Sequence, residues 1–247
     1  QIVSDLNQAE SLLEGHVWED EKTRVDEWSV KGLLGKVHVF RENWSDAQTY
    51  LEDVINNSGK ELVSYDIYKT MFNGNNEINS ESLFQINLTV DRNTWGAWGP
   101  STGSGVGMVI GPCYMTDDGG TGSSGWSNVF VHDKNLQRFG YTLEDVEMVD
   151  NPDYDPDQPV SRNNLEKIPD PQLIEDAREV RENNVTDPRL HVSTLQPYLD
   201  SMVAGGTQTP IVTYKEIEED KYGWSFRKYV NLEGTEYEVN VNNGSNF

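Results

Sequence analysis

VKGLLGKVHVFRENWSDAQTYLEDVINNSG, residues 30–59, reads as two amphipathic helices joined by a short turn. Within the wider stretch 26–42, Val30, Leu33, Leu34, Val37 and Phe40 recur at helical spacing. After Asn43, Trp44, Ala47, Leu51, Val54 and Ile55 repeat the pattern, and Gly59 is a helix stop. Ser45 followed by Gln48 predicts a capping box at the start of the second helix. A linker of a few residues makes the pair antiparallel. Gly32 and Gly35 each weaken an isolated helix by about 1 kcal/mol. Their presence predicts close approach of a neighbouring helix. Leu34-Gly35, Ala47, Leu51 and Val54 fall at the offsets of a tetratricopeptide helix pair, where small residues sit at the crossing.

Working outward, residues 2–14 carry Ile2, Leu6, Ala9 and Leu13 on one stripe, with Gly15 as the stop. Ala9 precedes Ala47 by 38 residues, so 2–14 reads as the second helix of an earlier repeat. A repeat helix needs neighbours to bury its face. With a first residue other than Met, this reads as a processed protein or a fragment. Past residue 60 the rhythm stops. SYDIYKTMF (64–72) holds a short helix and ESLFQINLTV (81–90) alternates like a strand. From about 91 to 162 the chain is dominated by Gly, Ser, Asp, Pro and aromatic residues, a length of irregular chain that is more often functional than idle. Asp170 and Pro171 open a helix over 170–183 that buries Leu173, Ala177 and Val180. TDPRLHVSTLQ (186–196) reads as a turn leading into a strand. Strand-like stretches follow at 211–218, 223–232 and 235–242. The expected organisation is a helical scaffold over 1–60 and a loop-rich region over 61–247 packed on it as a single domain.

Composition narrows the partners. The 19 Lys and Arg against 42 Asp and Glu give a net charge of −23, which disfavours phosphate backbones and anionic membrane surfaces. Seven Trp and eleven Tyr set the chain apart from a disordered acidic tail. The one cysteine, Cys113, excludes an internal disulfide and reads as a small apolar residue. No run of 18 apolar residues exists. His16, His38, His132 and His191 show no zinc-binding spacing, and His38 reads as a packed core residue. There is no GxSxG and no P-loop, and no pair of carboxylates is singled out as a glycosidase dyad.

Taken in order, IVSDLNQAESLL, the stretch 30–63, NNEINSESLFQINL, DPRL and GWSFRKYV resemble SusD/RagB-type proteins, the surface glycan-binding lipoproteins of Bacteroidetes nutrient-uptake systems. The resemblance runs from Ile2 to about Val230 and is strongest over 25–88 and 187–190. It implies a mainly α fold of tetratricopeptide-like helical repeats, with a large irregular region and a few short strands. It implies polysaccharide utilisation: oligosaccharide, or in some systems peptide, is bound and delivered to a SusC-type TonB-dependent outer-membrane transporter. It implies no catalytic machinery. No cofactor is expected beyond the calcium candidate below. The lipid-bearing N-terminal cysteine, the first helices and the C-terminal helices of the family have no counterpart here, so the chain reads as a central portion of the family fold. Outer-membrane, cell-surface placement rests on an anchor outside this sequence.

Sugar binding needs flat aromatic faces for the C–H side of a pyranose and polar groups for its hydroxyls. The loop-rich region offers Trp95, Trp98, Tyr114 and Trp126, with Asn93, Asp117 and Asp118 as polar company. The family's ligand residues follow no motif matched here, so none is carried over. The other reading of these aromatics is that they plug the loops onto the scaffold or face the transporter. Asp153, Asp155 and Asp157 alternate in DNPDYDPDQP and are the candidate calcium ligands, although an EF-hand loop starting at Asp153 wants Gly and Glu where Gln158 and Asn164 stand. Two other functions compete with glycan delivery: a pure protein-interaction scaffold and a glycoside hydrolase.

Overall fold

The computed structural model describes residues 1–16, 18, 24–71, 76, 78–86, 109–126, 129–141, 147–213, 223–228, 230 and 232. The chain divides into two compact units, Gln1–Asn87 and Leu88–Phe247. The helical unit therefore runs past the expected boundary at residue 60.

In the first unit, α1 (Ile2–Leu13) ends before Gly15, whose φ of +68° suits a residue without Cβ. Asp26 starts α2 (Glu27–Phe40): its carboxylate accepts from the Ser29 backbone N–H at 2.7 Å, and the Ser29 hydroxyl caps in return. The capping box expected at Ser45 and Gln48 is absent. Because Arg41–Asn43 is a very short connection, α3 (Trp44–Asn57) begins at Trp44, and Ser45 already lies in its first turn. Its carbonyl accepts from Thr49, and Gln48 bonds Glu52.

The two helices run antiparallel, with Lys31 on Asp53 (2.6 Å) at one end and His38 beside Asp46 (3.6 Å) at the other. Gly35 sits at the crossing. A Cβ there would lie 2.6 Å from the Leu51 side chain. At Gly32 the close neighbour is Leu83, at 3.0 Å, so a coil segment and not a helix fills that gap. Val30, Leu34, His38, Ala47 and Val54 are buried, and the His38 ring stacks on Tyr50 with centroids 5.7 Å apart. Val37 and Leu51 are half-buried, whereas Leu33, Phe40, Trp44 and Ile55 face outward: Phe40 is 80%, Trp44 62% and Ile55 72% exposed. The short helix expected in 64–72 is α4 (Tyr65–Tyr68), capped by Ser64. Residues 81–86 form no strand. They lie along α2, where the Ser29 hydroxyl donates to the Leu83 carbonyl at 2.6 Å. Residues 87–90 are outside the described residues.

The second unit holds more regular structure than its composition suggests. β1 (Cys113–Met115) and β2 (Thr121–Ser123) form a hairpin. α5 (Asp133–Arg138) follows, then a ribbon of β3 (Met148–Asp150) and β4 (Lys167–Pro169). α6 (Pro171–Glu182) is the helix expected at 170–183, with the Asp170 carboxylate accepting from the Gln172 N–H and proline at the first turn. TDPRLHVSTLQ differs from expectation. One helical turn, α7 (Arg189–Ser193), stands between the turn and β5 (Thr194–Leu195). β6 (Ser201–Ala204) and β7 (Thr207–Val212) complete an antiparallel sheet ordered β2-β1-β7-β6, and β5 pairs with β8 (Ser225–Phe226). Of the strand read over 211–218, Ile211 and Val212 end β7 and 214–218 are outside the described residues; of that over 223–232, Ser225–Phe226 form β8 and 229 and 231 are outside them, as is 235–242.

Two apolar clusters support this unit. One joins Val131, Leu136, Tyr141, Leu190 and Trp224. The other joins Leu195, Met202 and Ile211, with Tyr114 against it. Cys113 is buried in β1, as a small apolar residue would be. Among the described residues no helix is long and apolar enough to cross a membrane.

Candidate functional site

The β1–β2 hairpin positions three of the sequence-selected residues. Its turn reverses at Gly119, with φ of +80°. Asp118 holds the turn closed, its Oδ1 accepting from the Thr116 hydroxyl (2.5 Å) and the Gly120 N–H (3.2 Å). The Thr116 hydroxyl, above all, keeps this carboxyl below the usual carboxylate range. Asp117 faces Arg162: its Oδ1 lies 3.2 Å from Nη2, and its carbonyl accepts from the Arg162 N–H at 3.0 Å. Arg162 also donates from Nη1 to the Gln208 carbonyl at 3.2 Å. One guanidinium therefore clasps the hairpin, the β3–β4 loop and β7. Asp117 and Asp118 both have structural duties that the sequence reading missed.

Tyr114 pairs with Gly122 across the hairpin and with Ile211 on the other side. A Cβ on Gly122 would lie 2.7 Å from the phenol ring, so glycine lets the ring lie over its partner strand. Tyr114 is half-buried. Trp126, three residues beyond β2, is 55% exposed. The hairpin thus carries Tyr114, Asp117 and Asp118, and Trp126 follows it in the chain. Asn93, Trp95 and Trp98 lie outside the described residues.

The acidic loop is held by asparagines. The Asn164 carbonyl oxygen accepts from the Asp155 N–H (2.9 Å), and its amide donates to the carbonyls of Asp155, Gln158 and Pro159. Asn151 accepts from the Asp153 N–H and donates to the Leu165 carbonyl. Asp155 accepts from the Asp157 N–H at 2.9 Å. Asp153, Asp155 and Asp157 are exposed, and among the described residues no three His, Cys, Asp or Glu side chains converge on a cation-sized site.

The strongest electrostatic feature escaped the sequence reading. Asp200 is buried between β5 and β6 and takes a bidentate fork from Arg181 of α6, both bonds 2.9 Å. Arg227 adds a third bond at 2.6 Å and the Gln196 N–H a fourth at 2.7 Å. Burial pushes the Asp200 carboxyl up, but the two guanidiniums outweigh it and hold it ionised below the usual range. Gln196 extends the network, donating to the Tyr141 hydroxyl at 2.7 Å. Nearby, His191 lies beside Trp224, with Nε2 3.2 Å from the Thr186 hydroxyl and Nδ1 buried without a partner. Burial first, and the charge of Arg181 second, push this imidazole down to about 4. The only legible signal was the DPRL motif. Asp187 accepts from the Arg189 N–H at 3.0 Å, which sets Leu190 into the apolar cluster.

No family model matches the chain. Two curated proteins do. A SusD-like protein, P25, of Formosa agariphila is 29% identical over 90 residues, which are 36% of this chain and 17% of that protein. A SusD-like protein of Bacteroides ovatus is 33% identical over 96 residues, covering 34% of this chain and 17% of that protein. The relatives of this chain are SusD-like proteins. In fold, a SusD-like protein from Bacteroides fragilis matches 92% of this chain and 40% of its own, with a TM-score of 0.58 at 15% identity. A laminarin-binding SusD-like protein matches with a TM-score of 0.47 at 19% identity, over 99% of this chain and 44% of its own. The matched stretch makes up 17% of each curated relative, and the chain shares with the Bacteroides fragilis protein a helical fold with some short strands.

Proposed function

We propose that this chain is part of a non-catalytic carbohydrate-capture protein of the SusD type. It binds an oligosaccharide at the cell surface and passes it to a SusC-type TonB-dependent transporter in the outer membrane. The observation that carries this reading is the half-exposed Trp126, three residues beyond a hairpin that the Asp117–Arg162–Gln208 clasp fixes. An exposed indole offers a flat apolar face to a sugar ring. Asp117 and Asp118 place carboxylate oxygens on the same hairpin, and the sequence adds Asn93, Trp95 and Trp98 as further candidates. The relatives' description as SusD-like supports the same reading. The α2–α3 pair is one tetratricopeptide-like unit, and α1 belongs to the preceding one. The loop carrying Asp153, Asp155 and Asp157 is closed by Asn151 and Asn164. Membrane attachment is through a lipid anchor.

The test is affinity electrophoresis through gels containing single polysaccharides. At least one retards the chain, and Trp126→Ala weakens that retardation about tenfold, in line with the loss of one stacking ring. Full retention by Trp126→Ala and by the corresponding Trp95 and Trp98 variants removes the tryptophan platform. Release of reducing ends on incubation reassigns the chain to the hydrolases.

A second reading, a protein-interaction scaffold or peptide-binding member of the same systems, draws on Phe40, Trp44 and Ile55, whose large apolar side chains stand exposed on the helical unit. Retention on no polysaccharide, together with capture of a transporter subunit, favours it.

A further inference from the structure

A cavity of about 250 Å³ opens between one face of α6 and the turn that follows α5. Leu173, Ala177 and Val180 form an apolar wall along the helix, and Val185 stands at the mouth. Opposite lie the Gly140–Tyr141 backbone and Thr186. Gly140 has φ of +86°, a conformation that L side chains rarely adopt. The walls are braced from behind. Tyr141 is held by Gln196 and by Trp224, edge-on with centroids 4.9 Å apart. Arg181 ties α6 to Asp200 one turn beyond Ala177.

The polar groups are few and oriented. Asp176 accepts from Gln172 through Oδ1 alone (2.7 Å), leaving Oδ2 to accept. Thr186 shares a hydrogen bond with His191 Nε2, and His191 Nδ1 is buried unpartnered. An unpaired buried N–H is costlier than an unpaired ring lone pair, so Nε2 carries the proton and donates to Thr186. The Thr186 hydroxyl hydrogen is then available to a ligand.

We propose that this cavity takes one pyranose residue of a neutral saccharide, its C–H face against Leu173, Ala177 and Val180 and its hydroxyls on Asp176 and Thr186. The inference rests on the carbohydrate-capture reading above and adds a second subsite, away from the hairpin. Size limits the occupant: drug-sized ligands fill roughly 300–1,000 Å³, so this space suits a single ring. Charge limits it further, because a carboxylate at the rim of a chain of net charge −23 repels anions. Purely apolar ligands leave Asp176 Oδ2 and the Thr186 hydroxyl hydrogen facing an apolar surface with no group to bond.

Ligand-observed saturation-transfer NMR on the full 247-residue chain tests it, with millimolar methyl pyranosides of glucose, galactose, mannose and xylose. One of them shows transfer, and both Ala177→Leu, which fills the cavity, and Val185→Phe, which narrows its mouth at an exposed position, weaken it at least tenfold. Two variants guard against misfolding of the first. Undiminished transfer in a folded Val185→Phe chain overturns the cavity assignment. So does a wild-type chain that binds polysaccharide but no pyranoside, and either result leaves the capture reading standing. A wild-type chain that binds neither pyranoside nor polysaccharide overturns both. Displacement of the pyranoside by equimolar Nα-acetyl-lysine reassigns the cavity to a cationic side chain and overturns the inference.

Discussion

Two glycines on one helix make opposite predictions. At Gly35 an added Cβ meets the branch point of Leu51, not only its flexible end, at 2.6 Å. Relieving that clash costs about 1–3 kcal/mol, more than the ~1 kcal/mol of helix propensity that alanine gains. Gly35→Ala therefore lowers the melting temperature by several degrees. At Gly32 the neighbour is a terminal methyl of Leu83 at 3.0 Å, which can rotate aside. Gly32→Ala should be neutral or stabilising by up to about 1 kcal/mol. Thermal unfolding of the two variants side by side decides it, and equal effects refute the packing argument. His191 gives a pH prediction. Its folded pKa of about 4 lies below the ordinary 6.5. Between those values the unfolded chain binds more protons, so stability rises with pH from about 4 to 6.5 and is lost as pH falls through that window. The ring is not fully enclosed, so solvent screening reduces the effect to about 1–2 kcal/mol. Urea unfolding at pH 4.5 and 7 measures it. His191→Gln, which does not titrate, flattens the difference across this window.

At the scale of elements, the β3–β4 loop tests the calcium idea directly. Asn164 alone supplies one acceptor and three donor contacts to loop backbone. Asn164→Ala leaves several groups unpaired, at a cost of about 1–3 kcal/mol. Calcium or a chelator shifts the wild-type melting temperature by less than a degree, and a calcium-dependent rise would return Asp153, Asp155 and Asp157 to the role of ligands. What the sequence revealed follows element length. α1, α2, α3 and α6 each run twelve residues or more, enough turns for a 3.6-residue period to show. β1, β2, β3 and β4 are three residues each, shorter than the window in which alternation can be read. The Asp200 centre was invisible for another reason: Arg181 of α6, Arg227 beyond β8 and the Gln196–Asp200 connection are far apart in sequence, and only tertiary structure brings them together. On the hairpin, the aromatics were found by residue type, whereas the clasp of Asp117 by Arg162 spans 45 residues of sequence and carries no local pattern.

For the whole molecule, charge separates the competing functions. A net charge of −23 repels itself in the folded state, and salt screens that repulsion over roughly 10 Å at 0.1 M. Raising sodium chloride from 10 to 300 mM should therefore raise the melting temperature by a few degrees. Binding of a neutral saccharide releases no counterions and involves no long-range steering, so its dissociation constant changes less than about twofold over the same range. Association with a protein partner of complementary charge behaves differently: the on-rate falls steeply with ionic strength, by about tenfold or more where steering dominates. One salt series with two readouts, glycan retention and partner capture, thus assigns each contact to its chemistry. Glycan retention that collapses with salt would mean that the carboxylates on the hairpin and at the α6 cavity bind a cationic group instead of sugar hydroxyls, and would remove carbohydrate as the cargo.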